Sequence, residues 1–214
     1  METLLKLILY CKLMVRIIFT IGSNNMPKEQ FVLKLYKSKD TIFTIQEIAL
    51  LFRETKRENL KARINYYVKN GVLRNLRKGI YSKPDYDPLE LATKIYTPSY
   101  ISLETVLAKE GIIFQYYKDI FVVSYLTRTI EVDKLKIQYK KIKNVTLLNS
   151  KEIIQKENYA IATKERAFLD TLYLYNDYYF DNVGTLDKRK VLLLLPIYQS
   201  KRLSEKVKEI LTNA

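Results

Sequence analysis

Histidine does not occur in this 214-residue sequence, and Cys11 is its single cysteine. Each scarcity removes a class of chemistry. A structural zinc site takes four Cys or His ligands, which this composition does not supply within one chain. The usual general base at neutral pH is missing, and with it every Ser-His or Cys-His nucleophile pair. A lone cysteine forms no intrachain disulfide, which suits a reducing cytoplasm. The five glycines are widely scattered, so no Gly-rich phosphate loop is present. Carboxylate-and-magnesium chemistry is what survives this filter. The expectation is a cytoplasmic protein that is not an enzyme, with no catalytic site, metal or cofactor.

A long unbroken apolar run is missing too. Leu4 to Ile21 is strongly apolar, but Lys6, Lys12 and Arg16 interrupt it. Neither a spanning helix nor a signal peptide is patterned this way, so no membrane partner is expected. An interfacial amphipathic helix is one reading of this stretch. The other takes residues 1–25 as an apolar extension ahead of a later translation start, because Met26-Pro27-Lys28-Glu29 would open a well-formed helix.

What the chain has in excess is positive charge: 37 Lys and Arg against 23 Asp and Glu, a net +14. A hydrophobic fraction of 48% and a charged fraction of 28% fit a globular protein with a real core. The excess suits a polyanionic partner. A coding bias toward Lys, Ile, Asn and Tyr would also raise the charge, but would spread it evenly. It is not even. Arg53, Lys56, Arg57, Lys61, Arg63, Lys69, Arg74, Arg77, Lys78 and Lys83 stand against only Glu54 and Glu58, so this segment holds a net +8 of the +14.

The length suggests two domains of roughly 80 and 120 residues. The first, over residues 26–83, reads as a winged helix-turn-helix. A helix runs from Pro27 to near Ser38 with Phe31, Leu33, Leu35 and Tyr36 as its apolar stripe, and Thr41-Ile42-Phe43 is extended. Thr44 caps a helix to about Leu51, with Glu47 in its first turn. After a polar turn, a longer helix spans Arg57 to Lys69 and stops at Asn70-Gly71. Val72 to Leu76 and Ile80 to Ser82 read as strands around the tight turn Arg77-Lys78-Gly79. Lys83 to Pro88, with two prolines and two aspartates, is the domain boundary.

The second domain, residues 89–214, reads as mixed α+β, and the fold class is α+β overall. A helix covers Leu89 to Ile95, Thr97-Pro98-Ser99-Tyr100 breaks it, and Ser102 caps another that stops at Gly111. Ile120–Leu126, Thr129–Val132, Lys136–Ile142 and Asn144–Leu148 are β-rich. Thr163 caps a helix to about Tyr175, and helices over Asp187–Leu195 and Ser200–Leu211 finish the chain.

A helix-turn-helix needs a second helix with one apolar docking face and one basic face for the major groove. In 57–69, Leu60, Ile64, Tyr67 and Val68 fall on one side. Asn59, Ala62, Arg63 and Tyr66 lie on or beside the opposite one, with Lys61 and Lys69 along its margin. Arg is suited to guanine, Asn to adenine, and Ala or Tyr to a thymine methyl. Arg57, Asn59, Arg63 and Tyr66 are therefore assigned to the major groove. Lys56, Lys61, Lys69, Arg77 and Lys78 are assigned to phosphate or the wing.

Other groups have weaker patterns. Glu165, Asp170, Asp177 and Asp181 form a nominal carboxylate set, but Glu165 and Asp170 diverge around one helix. The Tyr173–Phe180 run reads as core or as a partner surface, and Val191–Leu195 as a buried helix.

The order of three short motifs resembles the AbiEi family of antitoxins from type IV toxin–antitoxin and abortive-infection systems. They are Arg77-Lys78-Gly79-Ile80-Tyr81, then Pro98-Ser99-Tyr100-Ile101-Ser102-Leu103-Glu104-Thr105-Val106-Leu107 with Gly111, then Thr163-Lys164-Glu165-Arg166-Ala167-Phe168-Leu169-Asp170. The similarity spans roughly residues 40–175. It implies a winged helix that represses its own operon at an operator, an inverted repeat in duplex DNA. It also implies a C-terminal antitoxin domain that counteracts a cognate nucleotidyltransferase-type toxin, without indicating which residues neutralise it. The apolar N-terminal extension and the Tyr- and Lys-rich C-terminal half depart from the family. Two alternatives from the residues alone are a carboxylate- and metal-dependent enzyme acting on nucleic acid, and a winged-helix module that binds protein.

Overall fold

A computed structural model describes residues 28–53, 56–175 and 177–212. Expectations for residues 1–25 and for the start of the first helix at Pro27 lie outside that range. The fold is mixed α+β, with helices packed on two sheets.

Helix α1, Lys28–Lys37, buries Phe31, Val32 and Leu35, while Leu33 and Tyr36 are exposed. The expected stripe is thus corrected. Leu33 is about 200° around the helix from Phe31 and faces away from the core that Phe31 enters. Strand β1, Ile42–Thr44, leads into α2, Ile45–Phe52. Thr44 and Glu47 form a reciprocal capping box, Glu47 N–H donating to Thr44 Oγ1 and Thr44 N–H to Glu47 Oε2. Helix α3, Arg57–Lys69, ends before Gly71 at φ 69°, a left-handed conformation that costs glycine little. Phe31, Phe52 and Tyr67 stack at the centre of this unit, with the Phe31 and Phe52 ring centres 3.9 Å apart.

Strands β2, Arg74–Arg77, and β3, Ile80–Ser82, form the hairpin, and the sheet order is β1-β3-β2. The first hairpin strand starts two residues later than its β-propensity suggests. Val72 and Leu73 are core residues whose amides both donate to the Tyr67 carbonyl, closing α3 rather than joining the ladder. The Gly79 carbonyl accepts from Ile45 N–H, so the hairpin turn lies against the start of α2.

The larger unit is built on a 6-stranded sheet. It comprises α4, Pro88–Ile95; β4, Ser99–Ile101; α5, Glu104–Lys109; β5, Ile120–Ser124; β6, Arg128–Val132; β7, Leu135–Lys141; α6, Asn144–Leu147; β8, Ile153–Gln155; β9, Ala160–Ala162; and α7, Lys164–Leu174. Helices α8, Lys188–Leu194, and α9, Lys201–Thr212, close it. The order is β6-β7-β5-β4-β9-β8, with β5–β7 and β4–β9 parallel and the other pairs antiparallel.

Three expectations are corrected here. Asn144–Leu148 is not a strand, because the buried residues Thr146 and Leu147 are adjacent, which a short helical turn accommodates and strand alternation does not. Ser102 caps no helix. Leu103 takes that position with φ 55°, and the Ser102 hydroxyl is drawn into the interior instead. Val191–Leu195 is only partly buried, since Leu192 and Leu193 are exposed.

The two units share a buried polar clasp. Glu90 of α4 has no exposed surface and accepts from Thr41 N–H, Thr41 Oγ1, Ile42 N–H and Asn158 Nδ2. Lys94, one turn later, reaches Glu90, Asp40, Glu47 and the Ile42 carbonyl. Ile42 itself belongs to the larger core, and Leu76 and Ile80 of the hairpin pack against it. The stretch between β3 and α4 is tied as well, with Lys83 N–H on the Thr41 carbonyl and Asp87 N–H on Thr41 Oγ1. The hairpin is therefore braced from behind. Among the described residues, no helix is long and apolar enough to cross a membrane.

Candidate nucleic-acid interface

Leu60, Ile64 and Tyr67 anchor α3 in the small core, with Val68 half-buried beside them. Burial pushes the Tyr67 hydroxyl up to about 12, so it remains a protonated core group. With one face fixed, Glu58, Ala62, Asn65, Tyr66 and Lys69 face away from it, Asn59 and Lys61 flank that outer face, and Arg57 is exposed at the start of the helix in line with Leu60 and Ile64.

Of the residues assigned to DNA, the structure brings Asn59, Lys61, Tyr66 and Lys69 onto or beside this outer face, and Lys56 and Arg57 are exposed at the helix start. Arg63 stands apart. It is half-buried, with its guanidinium 4.4 Å from the Phe52 ring centre, at the seam between α3 and α2. Asn65 was missed by sequence reasoning, although its spacing from Lys61, Ala62 and Lys69 puts it in the middle of the outer face. Lys78 is exposed on the hairpin turn, where Gly79 has φ 83°, and Arg77 is half-buried beside it.

Not every charge in the basic segment is available to a partner. Arg74 donates to Asp133 at 2.7 Å. The ammonium of Lys83 donates to the Ser38 carbonyl at 2.7 Å, and burial pulls its pKa down. The concentration of charge is real, yet two of its ten cations are engaged by partners within the protein.

The sequence matches no protein-family model and no curated protein.

In the larger unit, two segments distant in sequence meet around Asp170. Its carboxylate, fully buried, accepts from Tyr100 Oη at 3.0 Å, Ser102 Oγ at 2.8 Å and Tyr198 Oη at 2.7 Å. Arg166 lies one turn earlier on α7, with Nε 3.5 Å from Asp170 Oδ1 and Nη2 donating to Tyr100 Oη and the Thr146 carbonyl. Burial pushes the Asp170 carboxyl upward, against the pull of Arg166 and the three hydroxyls. Burial and the neighbouring carboxylate push Tyr100 and Tyr198 well above the ordinary tyrosine range, so both stay protonated donors.

The nominal carboxylate set does not converge. Glu165 accepts from Asp187 N–H, Asp181 accepts from Phe114 N–H, and Asp177 pairs with Lys206 at the surface. Among the described residues no three Asp, Glu, Cys or His side chains are arranged to hold a metal ion. The Tyr173–Phe180 run is divided. Phe180 is buried and Tyr179 exposed, and Tyr178, Tyr179 and Phe180 line a groove of about 690 Å³ against Lys206, Glu209 and Ile210 of α9.

Proposed function

We propose that this protein binds duplex DNA through α3 and the β2–β3 turn, and acts as a cytoplasmic transcriptional repressor rather than an enzyme. The observation that carries this is the outer face of α3, where Asn59, Lys61, Tyr66 and Lys69 are presented together, with Arg57 exposed at the helix start, from a helix–strand–helix–helix–hairpin unit with sheet order β1-β3-β2. Such a helix fits the major groove, and its side chains match base edges and phosphates. The operator is an inverted repeat in the protein's own promoter.

The antitoxin half of the proposal rests on the resemblance to the AbiEi family. It is supported by the order of the three motifs, and by the two C-terminal ones sharing the Tyr100–Ser102–Arg166–Asp170 cluster. The partner is a co-encoded nucleotidyltransferase-type toxin. Growth arrest by such a neighbouring gene product that persists when this chain is co-expressed would refute that half alone.

The DNA-binding half is tested by charge removal on exposed sites. Lys61→Ala with Lys69→Ala should lower affinity similarly for all duplex sequences and reduce the salt-dependence slope by about two units. Asn59→Ala should instead weaken discrimination at one base pair by about 1–3 kcal/mol. Unchanged affinity and slope in the double variant would remove α3 from the interface.

A further inference from the structure

The β6–β7 hairpin meets the wing directly at one end and through Tyr96 at the other. At one end charge is paired: Asp133 in the hairpin turn accepts from Arg74 of β2 at 2.7 Å and from Tyr86 at 2.8 Å. The other end is built differently. Arg77, the last residue of β2, holds its guanidinium 5.9 Å from the Tyr96 ring centre. Arg128, the first residue of β6, donates from Nη1 to the hydroxyl of that same tyrosine at 3.1 Å. Tyr96 is steadied by an edge-on contact with buried Tyr139, whose own hydroxyl donates to the Ala92 carbonyl of α4.

Two guanidiniums thus meet one tyrosine, Arg77 beside its ring and Arg128 at its hydroxyl, and exposed Lys78 is next in sequence to Arg77. Among the described residues, no carboxylate is ion-paired with Arg77 or Arg128. Like charges gathered this way repel, and an anion between them removes the repulsion. A guanidinium's planar fork matches the oxygens of a phosphate. The position is also rigid, because Tyr96 directly follows α4, the helix whose Glu90 and Lys94 clasp the winged helix.

We infer that Arg77 and Arg128 form a phosphate-binding cleft between the wing and the C-terminal domain, occupied by a backbone phosphate of duplex DNA. This rests on the DNA-binding reading above and extends it, since Arg128 belongs to the domain outside the winged helix. The larger domain then grips the duplex beyond the wing, and the bracing of the hairpin fixes where that phosphate must lie.

The test is a salt titration of the full chain on a mixed-sequence duplex several turns long, with thermal melts to establish that each variant folds. Arg128→Ala should reduce the slope by about one unit and lower affinity regardless of sequence. Arg128→Lys should keep the slope but recover only part of the affinity, because the ammonium retains the charge without the fork. Wild-type slope and affinity in a folded Arg128→Ala variant would overturn the cleft while leaving the DNA-binding reading intact. A wild-type chain with no salt-sensitive duplex affinity would overturn both, so the wild-type titration tells the two failures apart.

Discussion

Asp170→Ala should destabilise the protein by about 3–5 kcal/mol, the range for removing one partner of a buried ion pair. Arg166 and Asp170 both have no exposed surface, so the guanidinium left behind is without a buried counter-charge. The hydroxyls of Tyr100, Ser102 and Tyr198 lose their acceptor at the same time. Some of the loss is recovered if water enters, but the surrounding side chains are packed and the hydroxyls point inward. Asp170→Asn also strips Arg166 of its counter-charge, so it should fall at the low end of that range, about 3 kcal/mol, because the amide oxygen still accepts while the amide nitrogen faces donors. Urea unfolding of the two variants measures both values, with an unchanged m-value if only stability has altered. The result also bears on the metal-dependent enzyme alternative, which requires Asp170→Asn to leave the fold untouched.

The second large effect belongs to Glu90. Glu90→Ala removes the acceptor for two backbone amides, one hydroxyl and one side-chain amide, and leaves Lys94 with fewer carboxylates. An unsatisfied buried donor costs about 1–3 kcal/mol, so with the exposed edge of Thr41 partly rehydrated the sum should be about 3–4 kcal/mol. The distinctive consequence lies in cooperativity. Glu90 is the centre of the contact between the small and large units, and its loss should let the small unit open before the larger core. Hydrogen exchange would register this as early loss of protection at the Val72 and Leu73 amides, whose acceptor, the Tyr67 carbonyl, the substitution leaves in place. Protection falling equally across both units would mean that they remain one cooperative body without the clasp.

The parts of the fold that were legible in the sequence are those specified locally. Helix α3 begins and ends where its apolar spacing and Asn70-Gly71 suggest, and Thr44-Ile45-Gln46-Glu47 and Thr163 cap their helices as short-range hydrogen bonding dictates. What escaped was decided at a distance. Strand β4 exists because Tyr100 and Ile101 pair with Val123, Val122 and Ile161, partners no local pattern reveals. Ser102 looks like a cap, but Asp170, far along the chain, recruits its hydroxyl.

The candidate interface divides the same way. Asn59, Lys61 and Lys69 follow from helical periodicity once Leu60 and Ile64 fix the buried face, whereas Arg57 is exposed because it opens the helix. The half-buried position of Arg63 over the Phe52 ring depends on how α2 crosses α3, which no local pattern reveals. Arg128 carried no local signal at all, since its meaning comes from Tyr96 and Arg77 meeting it across the two units.

The central claim is that a basic helix and turn hold duplex DNA, and the salt dependence of binding reads that contact most directly. For the wild-type chain, log affinity for a duplex should fall linearly with log salt, with a slope of about −4 or steeper at about 0.9 per neutralised phosphate. A slope near zero, or no affinity at low salt, would contradict the account.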